Sequence, residues 1–177
     1  MKTIILSGRY TAVRLVALGA LLLSPFLSTT AALADDPPFL TVGLGWYDVN
    51  RQVDEATEFR AEYRHDEKIW VVKPFAGLMG TTDGAVYGYG GFLMDIFFGR
   101  RIVLTPSLAA GYYSDGNGRD LGHAVEFRSS IELAYRFDDR SRLGVAFYHL
   151  SNAHLGSSNP GTEILGVVYS IPLGPGS

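Results

Sequence analysis

The chain contains no cysteine among its 177 residues. Disulfide frameworks and thiolate metal sites are therefore excluded. No segment repeats its apolar residues with a period near 3.6, so a helical domain is not expected. Basic residues are outnumbered, with 15 lysines and arginines against 18 aspartates and glutamates. This balance argues against the basic surface that binds nucleic acid, and we expect no nucleic-acid partner.

The first 34 residues have the layout of a secretory signal peptide. Lys2, Arg9 and Arg14 make a basic start, an apolar run covers residues 15–23, and Ala32-Leu33-Ala34 is a small-residue cleavage motif. The apolar run is too short for a comfortable membrane-spanning helix. We therefore expect export, with cleavage before Asp35. Residues 35–177 then form one domain of ordinary size.

Alternation with a period of two dominates the rest of the chain. In residues 56–64, the second such run, one face carries four charged residues and the other is mostly apolar. The charged face is Glu58, Arg60, Glu62 and Arg64, and the other is Thr57, Phe59, Ala61 and Tyr63. Such runs, separated by turn signals, predict β-strands. We expect eight of them; the first four span residues 39–49, 56–64, 69–79 and 85–98, and the eighth ends near Leu173.

The distribution of charge and aromatic residues indicates which face is inside. Tyrosine and phenylalanine gather near the ends of the apolar faces. Glu and Arg line the opposite face of the second run and of the sixth, which covers residues 125–137. This pattern is typical of an outer-membrane barrel. We predict an all-β fold, an eight-stranded antiparallel up-and-down transmembrane β-barrel with lipid outside and ion pairs in its lumen. Closure leaves no unsatisfied strand edge in lipid. A periplasmic sandwich or a lipocalin-like barrel is the alternative.

A histidine, a serine and a glutamate near the end of the chain have a spacing that suits nucleophilic catalysis. His149 and Ser151 share one face of the seventh strand, with α-carbons about 7 Å apart. Glu163 begins the eighth strand, and antiparallel pairing would bring it behind His149. That arrangement supplies a nucleophile, a base and an orienting acid. By parity the trio faces lipid, and with periplasmic termini it lies toward the extracellular end.

The trio belongs to a longer motif, His149-Leu150-Ser151-Asn152-Ala153 followed by Asn159-Pro160-Gly161 and Glu163. This motif resembles the signature of the outer-membrane lipid A 3-O-deacylases, the PagL family. The resemblance implies a barrel whose lipid-facing His-Ser-Glu triad removes the ester-linked 3-hydroxyacyl chain at the 3-position of lipid A in the outer leaflet, without metal or other cofactor. It makes Ser151 the nucleophile, His149 the general base and acid, and Glu163 the orienting acid. Asn152 is an oxyanion-hole candidate, and the role of Asn159 stays open.

Two other functions remain open, a structural or adhesive barrel and a PagP-like lipid A acyltransferase. A structural barrel has no need of a polar trio on an apolar face. An acyltransferase of that kind keeps an acyl pocket inside the barrel, whereas the predicted lumen residues are small and charged. A homodimer in the outer membrane also stays open. The terminal Gly-Pro-Gly-Ser lacks the final aromatic residue that is usual in outer-membrane barrels. This either counts against that localisation or makes the tail an extension past the last strand.

Overall fold

A computed structural model describes residues 36–174, so the predicted signal peptide lies outside the described residues. One antiparallel sheet contains nine strand segments: β1 Phe39–Tyr47, β2 Ala56–Arg64, β3 Lys73–Thr81, β4 Val86–Leu93, β5 Ile96–Phe98, β6 Ile102–Ser114, β7 Val125–Arg136, β8 Arg142–Ser151 and β9 Thr162–Pro172. β9 pairs with β1, and β4 pairs with β6, which closes the sheet into a barrel. The described residues include no helix that is long and apolar enough to cross a membrane.

The nine segments confirm the predicted eight-stranded barrel, because β4 and β5 together make one strand of the wall. Both pair with β6: β4 pairs with the second half of β6, and β5 pairs with its beginning. The interruption at Met94 and Asp95 lies near Pro106 of β6, where Met94 N donates to Pro106 O over 3.1 Å. Proline has no N–H to return, so the ladder is weakened at this point.

Apolar side chains cover the outside of the barrel and charged side chains fill its lumen, as the alternation predicts. Successive side chains of a strand point to opposite faces. The outward residues of β1 are 38–55% exposed: Leu40, Val42, Leu44 and Trp46. The inward residues of β2 are at most 6% exposed: Glu58, Arg60, Glu62 and Arg64. This distribution is the inverse of that in a soluble protein and is the one that a lipid environment requires.

Glu62 is the centre of the ion pairs in the lumen. Its two carboxylate oxygens lie 2.9–3.2 Å from the guanidinium groups of Arg60, Arg64 and Arg128. The Tyr89 hydroxyl donates to it over 2.8 Å. Because β2 and β7 both contribute, these contacts cross the barrel from one wall to another. Charge-assisted bonds of this kind offset part of the cost of burying the charges.

The prediction that the third strand begins at Ile69 is wrong. Residues 69–72 form a tight turn in which Ile69 N donates to Val72 O over 2.8 Å, and β3 begins at Lys73. Trp70 at its tip has a positive φ of 64° and is 90% exposed. An apolar run resembles a strand in sequence, but here a backbone bond closes it into a turn.

The two ends of the barrel differ in their connections. The termini end carries both chain termini, because Phe39 pairs with Pro172. It also carries the connections at residues 65–72, 99–101 and 137–141. The loop end carries the connections at residues 48–55, 82–85, 115–124 and 152–161.

Asp36, which precedes β1, closes the lumen at the termini end. It is 3% exposed, and its two oxygens lie 2.6 Å from Arg136 and 2.5 Å from Arg142. Arg142 also pairs with Asp95 at 2.8 Å, and Lys73 lies 3.4 Å from the same carboxylate. The beginning of the described chain is therefore fixed to β7 and β8 by buried charges.

We expect Asp36→Ala to lower the free energy of unfolding by about 3 kcal/mol, because it removes a buried carboxylate that pairs with two largely buried guanidinium groups. Asp138→Ala is the matched control: Asp138 pairs with Arg101 at 2.6 Å but is 88% exposed. Its loss should cost less than about 1 kcal/mol. Urea unfolding in detergent micelles, followed by the heat-modifiable shift on gels, measures both. Equal destabilisation by the two variants would contradict the role of Asp36.

Candidate active site

The register of β8 and β9 places His149 directly opposite Glu163. His149 Nδ1 lies 3.1 Å from Glu163 Oε1, a hydrogen-bonding distance that assigns the donating proton to Nδ1. The His149 side chain is 42% exposed and that of Glu163 is 19% exposed. Both lie on the outward face, in line with apolar neighbours such as Phe147 and Leu165. The imidazole is thus oriented by a carboxylate, with Nε2 left for other chemistry.

Ser151 is the last residue of β8 and lies on the same outward face as His149. It is half-buried and pairs with Phe127 of β7. Among residues 36–174, its hydroxyl has no hydrogen bond to His149. Residues two apart in a strand are separated by about 7 Å at Cα, and contacts between nucleophile and base are often looser before substrate binds. The structure therefore brings His149 and Glu163 together and leaves Ser151 on the same outward face without a bond to either.

An open groove of about 480 Å³ runs beside His149 and Glu163. Phe147 and Leu165 form an apolar part of its wall, and Val49 and Asn50 close it from the connection between β1 and β2. Local sequence patterns do not reveal Val49 and Asn50 as part of the site, because they come from a turn about a hundred residues away along the chain. The groove joins polar groups to an apolar surface.

Asn152 organises the loop that follows Ser151. It is fully buried, and its amide nitrogen donates to Leu121 O over 2.7 Å and to Ser158 O over 2.8 Å. Its backbone N–H donates to Asn159 Oδ1 over 3.0 Å. Both amide hydrogens of Asn152 are therefore used within the protein, whereas the Nδ2 group of Asn159 has no partner in the described part of the chain.

The backbone turns sharply at this loop. Ala153 and His154 both have positive φ angles, of 51° and 64°. Gly161 at the other end of the loop also has a positive φ, of 61°. A β-carbon built on Gly161 would lie 3.2 Å from His149 Cε1, so only glycine fits comfortably against the imidazole.

The remaining histidines, His65, His123 and His154, lie in connections between strands. Within residues 36–174, no group of three or more His, Asp or Glu side chains is placed to hold a metal ion.

A protein-family model described as lipid A 3-O-deacylase (PagL) matches residues 56–172. The match begins at β2 and runs to the end of β9, so it includes His149, Ser151, Asn152, Asn159 and Glu163. The chain belongs to the PagL family.

Two relatives of the PagL family are similar to this chain in different ways. The lipid A deacylase PagL of Bordetella bronchiseptica (strain ATCC BAA-588 / NCTC 13252 / RB50) is 28% identical over 74 residues, 41% of this chain. That alignment spans 42% of the relative's own length. The crystal structure of the outer membrane enzyme PagL superimposes with a TM-score of 0.59 at 20% identity and covers 76% of this chain and 99% of the other.

A structure from the de novo design of transmembrane β-barrels has the same fold, with a TM-score of 0.52 at 13% identity over 78% of this chain and 100% of the design. Membership of the PagL family rests on the family model, and these structures show the barrel alone.

We expect Asn152→Ala to loosen the loop at residues 153–161, because the Leu121 and Ser158 carbonyls lose their donor. The bond to Leu121 is buried, and an unsatisfied buried group costs about 1–3 kcal/mol. The rate of protease cleavage within this loop, measured on folded barrels in detergent, should rise. Ser157→Ala alters an exposed residue of the same loop and should leave the rate unchanged. If both variants are cleaved as slowly as the unmodified protein, Asn152 does not hold the loop.

Proposed function

We propose that this protein is a serine-type lipid A 3-O-deacylase of the outer membrane, acting on the outer leaflet. The observation that carries the proposal is the 3.1 Å contact between His149 Nδ1 and Glu163 Oε1 on an otherwise apolar outward face. Ser151 on the same face supplies the third group of a triad. Membership of the PagL family supports the ester of lipid A as the substrate.

The first step would be attack by Ser151 Oγ on the carbonyl carbon of the ester-linked 3-hydroxyacyl chain. His149 Nε2 accepts the serine proton while Nδ1–H stays bonded to Glu163. The tetrahedral intermediate collapses, the bond to the sugar oxygen at the 3-position breaks, and His149 returns the proton to that oxygen. The products are an acyl-serine and lipid A with a free hydroxyl.

Water would complete the cycle. His149 removes a proton from a water molecule that attacks the acyl-serine, and the proton then passes to Ser151 as the fatty acid leaves. Glu163 does not change its protonation state in either step. Its carboxylate keeps the imidazole in the required tautomer and stabilises the imidazolium that forms twice per turnover.

The loop after Ser151 offers donors for the negative charge on the intermediate. Asn152 was the expected candidate and stays a prediction, but its amide already serves Leu121 and Ser158. Asn159 is a second candidate, because its Oδ1 accepts from the Asn152 backbone while its Nδ2 group has no partner in the described part of the chain. Removing an oxyanion donor typically costs about 2.7–4 kcal/mol of transition-state stabilisation.

The position of the trio supports direct access from the membrane. The groove at His149 is bordered by Phe147 and Leu165, which continue the outward apolar face. An acyl chain in the outer leaflet could lie along this face while its ester contacts His149 and Ser151. Termini in the periplasm put the loop end, and with it the trio, at the outer leaflet.

The alternatives fit the barrel less well. Polar groups on a lipid-facing surface are costly, so a purely structural barrel gives no reason for the His149–Glu163 pair. A PagP-like acyltransferase would need room for an acyl chain in the lumen. There, Tyr87, Tyr148 and the charges around Glu62 are buried and bonded across the barrel. A homodimer stays a prediction.

Replacing the trio should separate chemistry from folding. Ser151→Ala and His149→Asn should lower turnover by roughly 10⁴-fold or more, because nucleophile and base act as a unit. Glu163→Ala should cost less, since it removes only the orienting group. Mass spectrometry of lipid A from cells that express each variant measures the loss of one 3-hydroxyacyl group.

The control for these variants is the heat-modifiable gel shift, which should show a folded barrel in every case. Lipid A unchanged by the unmodified protein would defeat the proposed function. Full turnover by folded Ser151→Ala would defeat the serine mechanism alone.

Cysteine labelling can test which face meets lipid, because the chain has no cysteine of its own. Val145 and Val167 are 54% and 52% exposed on the outward face, whereas Ala146 is 1% exposed in the lumen. In outer membranes, a lipid-soluble maleimide should label Val145→Cys and Val167→Cys and leave Ala146→Cys unlabelled. Preferential labelling of Ala146→Cys would mean that the face carrying His149 and Ser151 does not meet lipid, which contradicts this proposal.

A further inference from the structure

Three successive residues where the chain enters β9 are each bonded to another loop: Gly161, Thr162 and Glu163. Arg119 Nε donates to Gly161 O over 3.0 Å. Thr162 Oγ1 donates to Asp48 Oδ1 over 3.2 Å. The backbone N–H of Val49 donates to Glu163 O over 3.0 Å. Residues 161–163, which place Glu163 opposite His149, are therefore held by contacts from outside the β8–β9 pair.

Arg119 and Asp48 join these contacts into one unit, which we call the Arg119 clamp: Asp48, Asp54 and Arg119. Arg119 Nη1 lies 3.4 Å from Asp48 Oδ2 and 3.1 Å from Asp54 Oδ2. Asp48 is fully buried at a positive φ of 58°, and its Oδ2 also accepts the backbone N–H groups of Val53 and Asp54. A strained residue held by this many bonds is typical of a functional position.

We propose that Arg119 is a positioning residue of the active site, an inference that rests on the proposed function. By holding the Gly161 carbonyl against Asp48, it keeps Gly161 packed on the His149 ring and Glu163 at bonding distance from Nδ1. Arg119 is 9% exposed and acts only through these neighbours. The connection at residues 115–124 would thereby control the geometry of a site formed by β8 and β9.

Arginine is needed for this task because it binds two partners in fixed directions at once. Its Nε faces Gly161 while Nη1 faces the two aspartates. Lysine carries the same charge on a single nitrogen and lacks this fork. Arg119→Lys should therefore keep the charge balance beside Asp48 and lose the bond to Gly161, which separates positioning from stability.

The first measurement is turnover of lipid A by purified folded protein. Arg119→Lys and Arg119→Ala should lower kcat by about 10- to 100-fold with little change in KM, the cost of a misplaced catalytic group. Arg100→Ala removes an exposed arginine at the opposite end of the barrel and should behave as the unmodified protein. In a Glu163→Ala background, Arg119→Ala should cause no further loss, because both changes act on one contact.

The second measurement does not depend on turnover. In protein labelled with ¹⁵N-histidine, the Nδ1–H signal of His149, assigned by its absence in His149→Asn, reports the bond to Glu163. It should be present in the unmodified protein and in Arg100→Ala, absent in Glu163→Ala, and weakened in Arg119→Lys. Gel shifts confirm that every sample is folded.

The outcomes distinguish the two proposals. If the unmodified protein releases no fatty acid, the proposed deacylase activity fails, and the histidine signal still decides the role of Arg119. An unaltered signal in Arg119→Lys overturns the positioning role whatever the turnover. Losses from Arg119→Ala and Glu163→Ala that simply add also overturn it, because they would mean that Arg119 supports stability alone.

Discussion

Closure of the backbone ladder is the constraint on which the rest of the molecule depends. Pairing of β1 with β9 and of β4 with β6 leaves no free edge in the wall. A closed wall can present apolar side chains outward, because no unpaired N–H or C=O group is then left in lipid. The same ladder sets the β8–β9 register, in which a shift of one residue would turn Glu163 into the lumen and away from His149.

Local sequence patterns predict the features that follow from the two-residue alternation within each strand. Alternation in β2 separates Glu62 from Phe59 correctly, and the parity of β8 places His149 and Ser151 on one face. Residues 69–72 mislead, because their apolar character is compatible with a strand, and only the bond from Ile69 to Val72 makes them a turn. Local periodicity carries no information about such closing bonds.

Contacts between distant parts of the chain escape such patterns for a different reason. Asp36 reaches Arg142 over 106 positions, and Arg119 reaches Gly161 over 42. Each residue is an ordinary charged residue beside a turn, with nothing around it to name its partner. Asn152 is similar: the motif marks it, but only the three-dimensional structure reveals that its amide is already bonded to Leu121 and Ser158.

The division of roles along β8 has a consequence for how the site can be controlled. His149 lies inside the ladder, paired with Ser129 on one side and Glu163 on the other, so the register alone decides that His149 and Glu163 face each other. Ser151 is where the ladder ends and the loop begins. Small changes in that loop would move Ser151, the nucleophile of the proposed mechanism, more directly than they would move His149. Rate differences among barrels with the same trio should therefore originate in the loops at residues 115–124 and 152–161, and least of all in the lumen.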